Sequence, residues 1–297
     1  MIEGREGALP QAQGAEEWGW YLYGITRRGA LATTQPQRGN TDHGIADLAL
    51  DLRGDESEPL QVLDCGPLAA IVRRVPLAQF SEEALRARHD DTAWFADMAH
   101  RHNRVIAAIH QQQTILPAKF GSVYARVEDV QTAVAEAQEA LLAQLERVEG
   151  CDEWAVHVYT HRPVIEQRAI AEHPRLRQLQ QEAAAAPPGR AYFLQRELDE
   201  ERVAATDEAL RELAQATYER LAPWAVAGQV TPLPRSTPNA RGEMEILRAA
   251  FLVRRTNADT FLAELRSCVE ERDGVHCEYS GPWAPYSFAV PIQEEKP

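Results

Sequence analysis

The 297-residue chain carries 31 Lys and Arg against 45 Asp and Glu, a formal net charge of −14. That balance argues against general nucleic-acid binding, which needs clustered cations, and against an anionic membrane surface as partner. With 44% apolar residues and this length the chain suits about two domains, each with its own core, and no apolar run approaches the ~18–20 residues of a membrane span.

Residues 1–17 hold no apolar stretch and are expected as a disordered tail without signal-peptide shape. "WGWYLYGIT" is dense in aromatic and branched residues and predicts a strand from residue 18. From 27 to 59 the chain turns polar, and "TTQPQRGNTDHG" predicts a loop. Two short strands follow, at 60–64 and 68–75, joined by a turn at Cys65-Gly66-Pro67.

Ser81 suits the start of a short helix, with acids in its first turn. A break at Asp90 and Asp91 separates it from a longer helix in which Phe95, Met98, His102, Val105, Ile106 and Ile109 recur at three and four. Pro117 and Gly121 interrupt the helical pattern, so "TILPAKFGSVYA" predicts an extended, kinked segment. "VEDVQTAVAEAQEALLAQLERVEG" reads as one clean helix with Gly150 beyond its end, and "EWAVHVYTH" as a strand closing the first domain.

The first domain is therefore expected at 18–161, and 162–189 reads as a helical connector. A second domain at 190–297 opens on a long charged helix to about residue 221, with Leu194, Leu198, Ala205, Ala209, Leu213 and Leu221 as its stripe. Strands at "AVAGQVTPLP" and 244–256, a helix capped by Asn257, and a last strand "VHCEYSGPW" complete it. The fold class expected is α+β: two ferredoxin-like α/β sandwiches joined by the connector.

Catalytic signatures are absent: no GxGxxG after a strand, GxxxxGK[ST], HExxH or GxSxG. Cys65, Cys151, Cys268 and Cys277 form no CxxC pair and read as reduced, buried thiols of a cytoplasmic protein. The densest titratable run is "HDDTAWFADMAHRHN", holding His89, Asp90, Asp91, Asp97, His100 and His102. Helical spacing sets His102 roughly opposite His100, which splits the cluster and disfavours a metal site. No catalytic, cofactor-binding or metal-ligating residue is assigned.

Two stretches remain. In "LPAKFG" Phe120 suits the core and Lys119 the surface; the alternative makes Lys119 a contact to a partner or to the other domain. In "YSGPWAPYSFA" two prolines stiffen a segment that carries Trp283, Tyr286 and Phe288, with Pro285 setting its bend. Such a segment either locks a core edge or makes a recognition surface, or does both.

"WYLYGI", "LAAIVRRV", "HNRVI", "ILPAKFGSVY", "EWAVHVY" and "YSGPWAPYSF" follow one another in order and spacing. Over residues 18–289 the chain resembles the GvpF/GvpL family of gas vesicle proteins, most tellingly at LP-x-[KR]-FG-[ST]-V and GPW-x-PYSF. The resemblance implies a two-domain α+β protein without enzymatic activity, in the cytoplasm and at the gas vesicle. It implies a role in assembly or as a minor vesicle component, with the hydrophobic shell protein GvpA and other accessory proteins as partners. The polar stretch 27–59 is longer than the family leads one to expect, and Lys119 stands where Arg is common. The candidate interaction residues are Trp283, Pro285, Tyr286, Phe288, Lys119 and Phe120. A rival reading is a small-molecule site between the domains, lined by Lys119 or the His89 to His102 segment. RNA binding by a sheet face is weakened by the acidity.

Overall fold

The computed structural model describes residues 17–29, 58–80, 82–88, 90–233 and 238–289. The chain divides into two compact units, Met1–Arg147 with Ala289–Pro297 and Val148–Phe288. Ser81 and His89 lie outside the described residues, as do the N-terminal tail and most of the polar stretch.

The first unit runs β1 (Trp18–Arg27), β2 (Leu60–Cys65), β3 (Leu68–Pro76), α1 (Leu77–Phe80), α2 (Glu82–Ala87), α3 (Thr92–Gln112), β4 (Leu116–Pro117), β5 (Val123–Tyr124), α4 (Val127–Glu136) and α5 (Gln138–Val148). β2 and β3 form the expected hairpin. Gly66 takes φ +75° in its turn, and its N–H is held by Asp64 Oδ1 at 3.0 Å. β1 sits inside the sheet, in the order β2-β3-β1-β4, and β5 also pairs with β1. Every pairing is antiparallel.

Asp91 caps α3, its Oδ1 accepting from Trp94 N–H at 3.0 Å. The buried face of α3 is His102, Val105, Ile106, Ile109 and His110, a narrower stripe than the spacing predicts; Phe95 and Met98 stay half-buried. The single helix expected after residue 126 is two, parted at Ala137 (φ −94°, ψ 7°). The hydrogen-bond ladder still crosses the break, from Ala137 to Ala133 and from Leu141 to Ala137. Val130, Val134, Leu141 and Leu145 are therefore buried along one continuous stripe.

The second unit runs β6 (Cys151–Thr160), α6 (Arg162–Glu172), α7 (Pro174–Ala185), α8 (Pro188–Leu221), β7 (Ala227–Val230), β8 (Met244–Arg254), α9 (Ala258–Glu270) and β9 (Val275–Trp283), ending in a short turn of helix at Tyr286–Phe288. Its antiparallel sheet is ordered β7-β8-β6-β9. Both sheets set their first strand between their third and fourth. The core joins Trp154, Val156 and Val158 of β6 to Phe251 of β8, Phe261 of α9 and Leu221 of α8.

Three expectations need correction here. The strand read as the end of the first domain is β6, a central strand of the second sheet, because its partners lie about a hundred residues downstream in β8 and β9. The stretch read as a connector is α6 and α7, both packed on α8. Asn257 stands at the N-cap of α9 without a side-chain capping bond. In addition, α8 buries Thr206, Leu210, Thr217 and Leu221 most deeply. The hydroxyls of Thr206 and Thr217 donate to the carbonyls of Arg202 and Leu213, which makes their burial tolerable.

Candidate functional site

The C-terminal motif begins on β9. Register pairs Val275 with Thr160 at one end and Trp283 with Glu153 at the other, with an irregularity between Glu153 and Ala155. Gly281 sits at that irregularity with φ +149°. A Cβ there would meet Trp154 Cε3 at 2.8 Å and the Glu153 carbonyl at 2.9 Å, so the close approach of β9 to β6 requires glycine. The Gly281–Pro282 peptide is cis.

Beyond β9 the chain folds back. Ala284, Pro285 and Phe288 are buried. Ser287 donates twice to Glu153, from its N–H to Oε2 and from its hydroxyl to Oε1, each at 2.7 Å. Glu153 is a buried carboxylate, and burial raises its proton affinity above the usual range while the Ser287 bonds oppose that rise. The half-buried Tyr286 hydroxyl is pushed up too, by burial and then by the charge of Glu153. This part of the motif is a lock on β6.

The rest faces water. Trp283 is 44% exposed, its Nε1–H donating to Ser280 Oγ at 3.1 Å, and Tyr279 is 40% exposed. Tyr279 accepts a long bond from Arg266 at 3.4 Å, and its ring lies tilted on Trp154, centroids 6.3 Å apart. The residues the sequence groups as one patch are therefore separated. Trp283 is on the rim, Tyr286 is half-buried, and Pro285 and Phe288 are in the lock. Tyr279 and Glu153 were missed. Glu153 has no local signal, since its partner is 134 residues away.

In the first unit, "LPAKFGSVY" clips onto β1 at both ends and bulges between. Ala118 N–H bonds the Tyr23 carbonyl at 2.8 Å, and Leu22 N–H bonds the Ser122 carbonyl at 2.9 Å. Gly121 turns the bulge at φ +84° and donates its N–H to Tyr21 Oη at 3.1 Å. Tyr21 Oη lies 3.0 Å from Nδ1 of the buried His102. Burial pushes His102 down to about 4, so the ring is neutral at pH 7 and its Nδ1 is assigned as the acceptor of the tyrosine proton. Lys119 is exposed at the bulge. Phe120, a core residue on one of the two readings of this stretch and an interaction candidate on the other, is 37% exposed with its ring edge-on to His102, because the bulge carries it off the sheet.

The histidine–aspartate run does not converge. Asp91 is a cap, Asp97 pairs with Arg101 at 2.9 Å, His100 is exposed and His102 is buried. Among the described residues no three His, Cys, Asp or Glu side chains are arranged to hold a metal ion. Burial raises the pKa of all four thiols, which makes them poor nucleophiles. A polar network that sequence reading missed lies on the second sheet. Glu245 binds His157 at 2.7 Å and Arg248 at 2.9 Å, and the rings of Tyr159 and His276 stack 5.0 Å apart. No helix among the described residues is long and apolar enough to cross a membrane.

The profile of the family described as "Gas vesicle synthesis protein GvpL/GvpF" matches residues 19–290. The chain belongs to the GvpL/GvpF family. It is 32% identical to gas vesicle protein L of Streptomyces sp. (strain CB03234) over 82% of this chain and 87% of that one. Gas vesicle protein F of the same strain is 29% identical over 90% of this chain and 98% of its own. The crystal structure of GvpF from Anabaena sp. PCC7120 superimposes with a TM-score of 0.61 at 19% identity, covering 92% of this chain and 98% of that one. GvpF from Microcystis aeruginosa gives 0.59 at 17% identity. These likenesses establish the mixed α and antiparallel β fold. In this GvpL/GvpF chain both stretches combine half-buried hydrogen bonds that hold the segment with an exposed aromatic, Phe120 in one and Trp283 in the other.

Proposed function

We propose that this chain is a non-catalytic assembly protein of the gas vesicle, which binds the shell protein GvpA in the cytoplasm and supports nucleation and growth of the shell. The observation that carries the proposal is the division of the C-terminal motif into a lock and a rim. Ser287 and Glu153 immobilise the segment, while Trp283 and Tyr279 stay exposed beside it. Aromatics held this way lose little entropy on binding. Energy spent on rigidity is intelligible where a surface must recognise an apolar partner.

A shell protein that ends facing gas aggregates in water. The rim covers an amphipathic segment of it, and the net charge of −14 keeps the pair dissolved until the subunit is added. Lys119 and Phe120 form a further contact, to GvpA or to another accessory protein. The shared strand order supports reading both units as ferredoxin-like.

The test is vesicle yield in cells lacking their own copy, complemented with this chain. Tyr279→Ala combined with Trp283→Ala abolishes vesicles, read by light scattering before and after pressure collapse, while the double variant accumulates to the normal level. Normal yield from the double variant would show that the rim is not the contact with GvpA.

A further inference from the structure

The first half of α8 has two unlike sides. One is tied to the neighbouring helices. Arg175 of α7 holds Glu197 at 2.6 Å, and Glu166 of α6 holds Arg202 at 3.0 Å. Helical spacing puts the half-buried Leu194 and Leu198 on that same side.

The other side presents apolar groups to water. Tyr192 and Phe193 are 68% and 71% exposed, more than any other large apolar side chain among the described residues, and Val203 is 50% exposed. The two rings pack edge to face with centroids 5.6 Å apart. Single exposed apolar residues are ordinary, but two adjacent aromatics standing in water mark an interaction surface.

Spacing shows what fits it. Tyr192, Arg196, Asp199 and Val203 follow one another at four, three and four, so they form one line along the outward side. The line is apolar at both ends and charged in the middle, and it is self-complementary about its centre. Laid antiparallel on an identical helix, Tyr192 meets Val203 of the copy and Arg196 meets Asp199 of the copy, and the two-fold axis repeats both contacts. Parallel pairing would instead set Arg196 on Arg196 and Asp199 on Asp199. Within one chain Arg196 pairs with Glu200 at 3.0 Å, and Asp199 accepts from the Gln195 amide at 3.3 Å and pairs with Arg202 at 3.4 Å. These contacts are exposed and worth little, so exchanging them for contacts to a copy costs little.

We propose that this side of α8 is a self-association surface, on which a second copy of this chain docks its own α8 antiparallel. Tyr192 and Val203 supply the apolar burial, Phe193 flanks it, and the two central ion pairs fix direction and register. The pairs also oppose the general repulsion between two chains of net charge −14. The line from Tyr192 to Val203 spans only about 17 Å, so the dimer is weak and comes apart on dilution. The surface belongs to the second unit alone and stands whether or not the aromatic rim contacts GvpA.

The test is sedimentation velocity on the full chain from about 1 to 200 μM. A reversible monomer–dimer equilibrium is expected. Tyr192→Ala weakens it roughly tenfold at unchanged melting temperature. Arg196→Asp and Asp199→Arg each weaken it by at least as much, because each sets like charges against one another across the two-fold axis. Mixing these two variants restores association, since the two acids of one face the two arginines of the other. A chain that stays monomeric throughout would overturn the proposal, and release of co-purified GvpA by Tyr192→Ala would then name GvpA as the occupant. A dimer indifferent to Tyr192→Ala, or a mixture that associates no better than its components, would overturn it as well.

Discussion

Glu153 shows how a single residue can carry both structure and pH dependence. Burial raises its proton affinity in the folded chain, so the folded state holds that proton more tightly than the unfolded one. Stability from this group is therefore full at low pH and falls as pH rises through its elevated folded pKa. Glu153→Gln keeps both bonds to Ser287, with its amide donating to the hydroxyl, and flattens that decline in chemical-denaturation curves. Glu153→Ala removes both bonds to Ser287 and costs about 1–3 kcal/mol. His102 has the opposite sign. Its pKa falls from 6.5 to about 4, so the unfolded chain takes up the proton first, and stability is lost as pH drops through that window. The loss is on the order of 3 kcal/mol at its fullest. His102→Phe retains ring packing and removes most of the slope between those values; an unchanged slope would show that another group is responsible. Neither residue could be assigned its role from sequence, because Glu153 lies 134 residues from Ser287 and His102 lies 81 from Tyr21.

At the scale of elements, most helices and strands were legible because the signals are local. α3 is visible from its spacing, β1 from its aromatic density, and the β2–β3 turn from Gly66 and Pro67. Pairing was not legible. "EWAVHVYTH" carries a strand pattern that any sheet would accept, and only the distant β8 and β9 settle its place. The kink at Ala137 has no Gly or Pro to announce it. Gly281 is the position where element and motif meet. Gly281→Ala drives a methyl against Trp154 and the Glu153 carbonyl, with an expected loss of about 1–3 kcal/mol in thermal or urea unfolding. Gly29→Ala is the control: its φ is +90° but no atom lies within 4 Å of the added carbon, so its loss should be the smaller.

Across the whole molecule, the family was legible because its motifs span nearly the entire chain, whereas the working surface within them was not. Exposure decides that surface, and a run of aromatics looks alike whether it points inward or outward. The unit boundary falls just before β6, between residues 147 and 148. A fragment of residues 148–288 is expected to unfold cooperatively, because it keeps all four strands of its sheet. A fragment starting at residue 162 lacks a central strand and should show no cooperative melt; equal melting of the two would refute the placement of β6. For function, truncating the C-terminus is a poor test, since it leaves Glu153 buried without Ser287. Point changes on the rim avoid this. The most direct measurement is co-purification of co-expressed GvpA with the tagged full chain, against the chain carrying Tyr279→Ala and Trp283→Ala. The intact chain is expected to retain GvpA, and the double variant, melting at the same temperature, to retain at least tenfold less. Equal retention of GvpA by the two would contradict it.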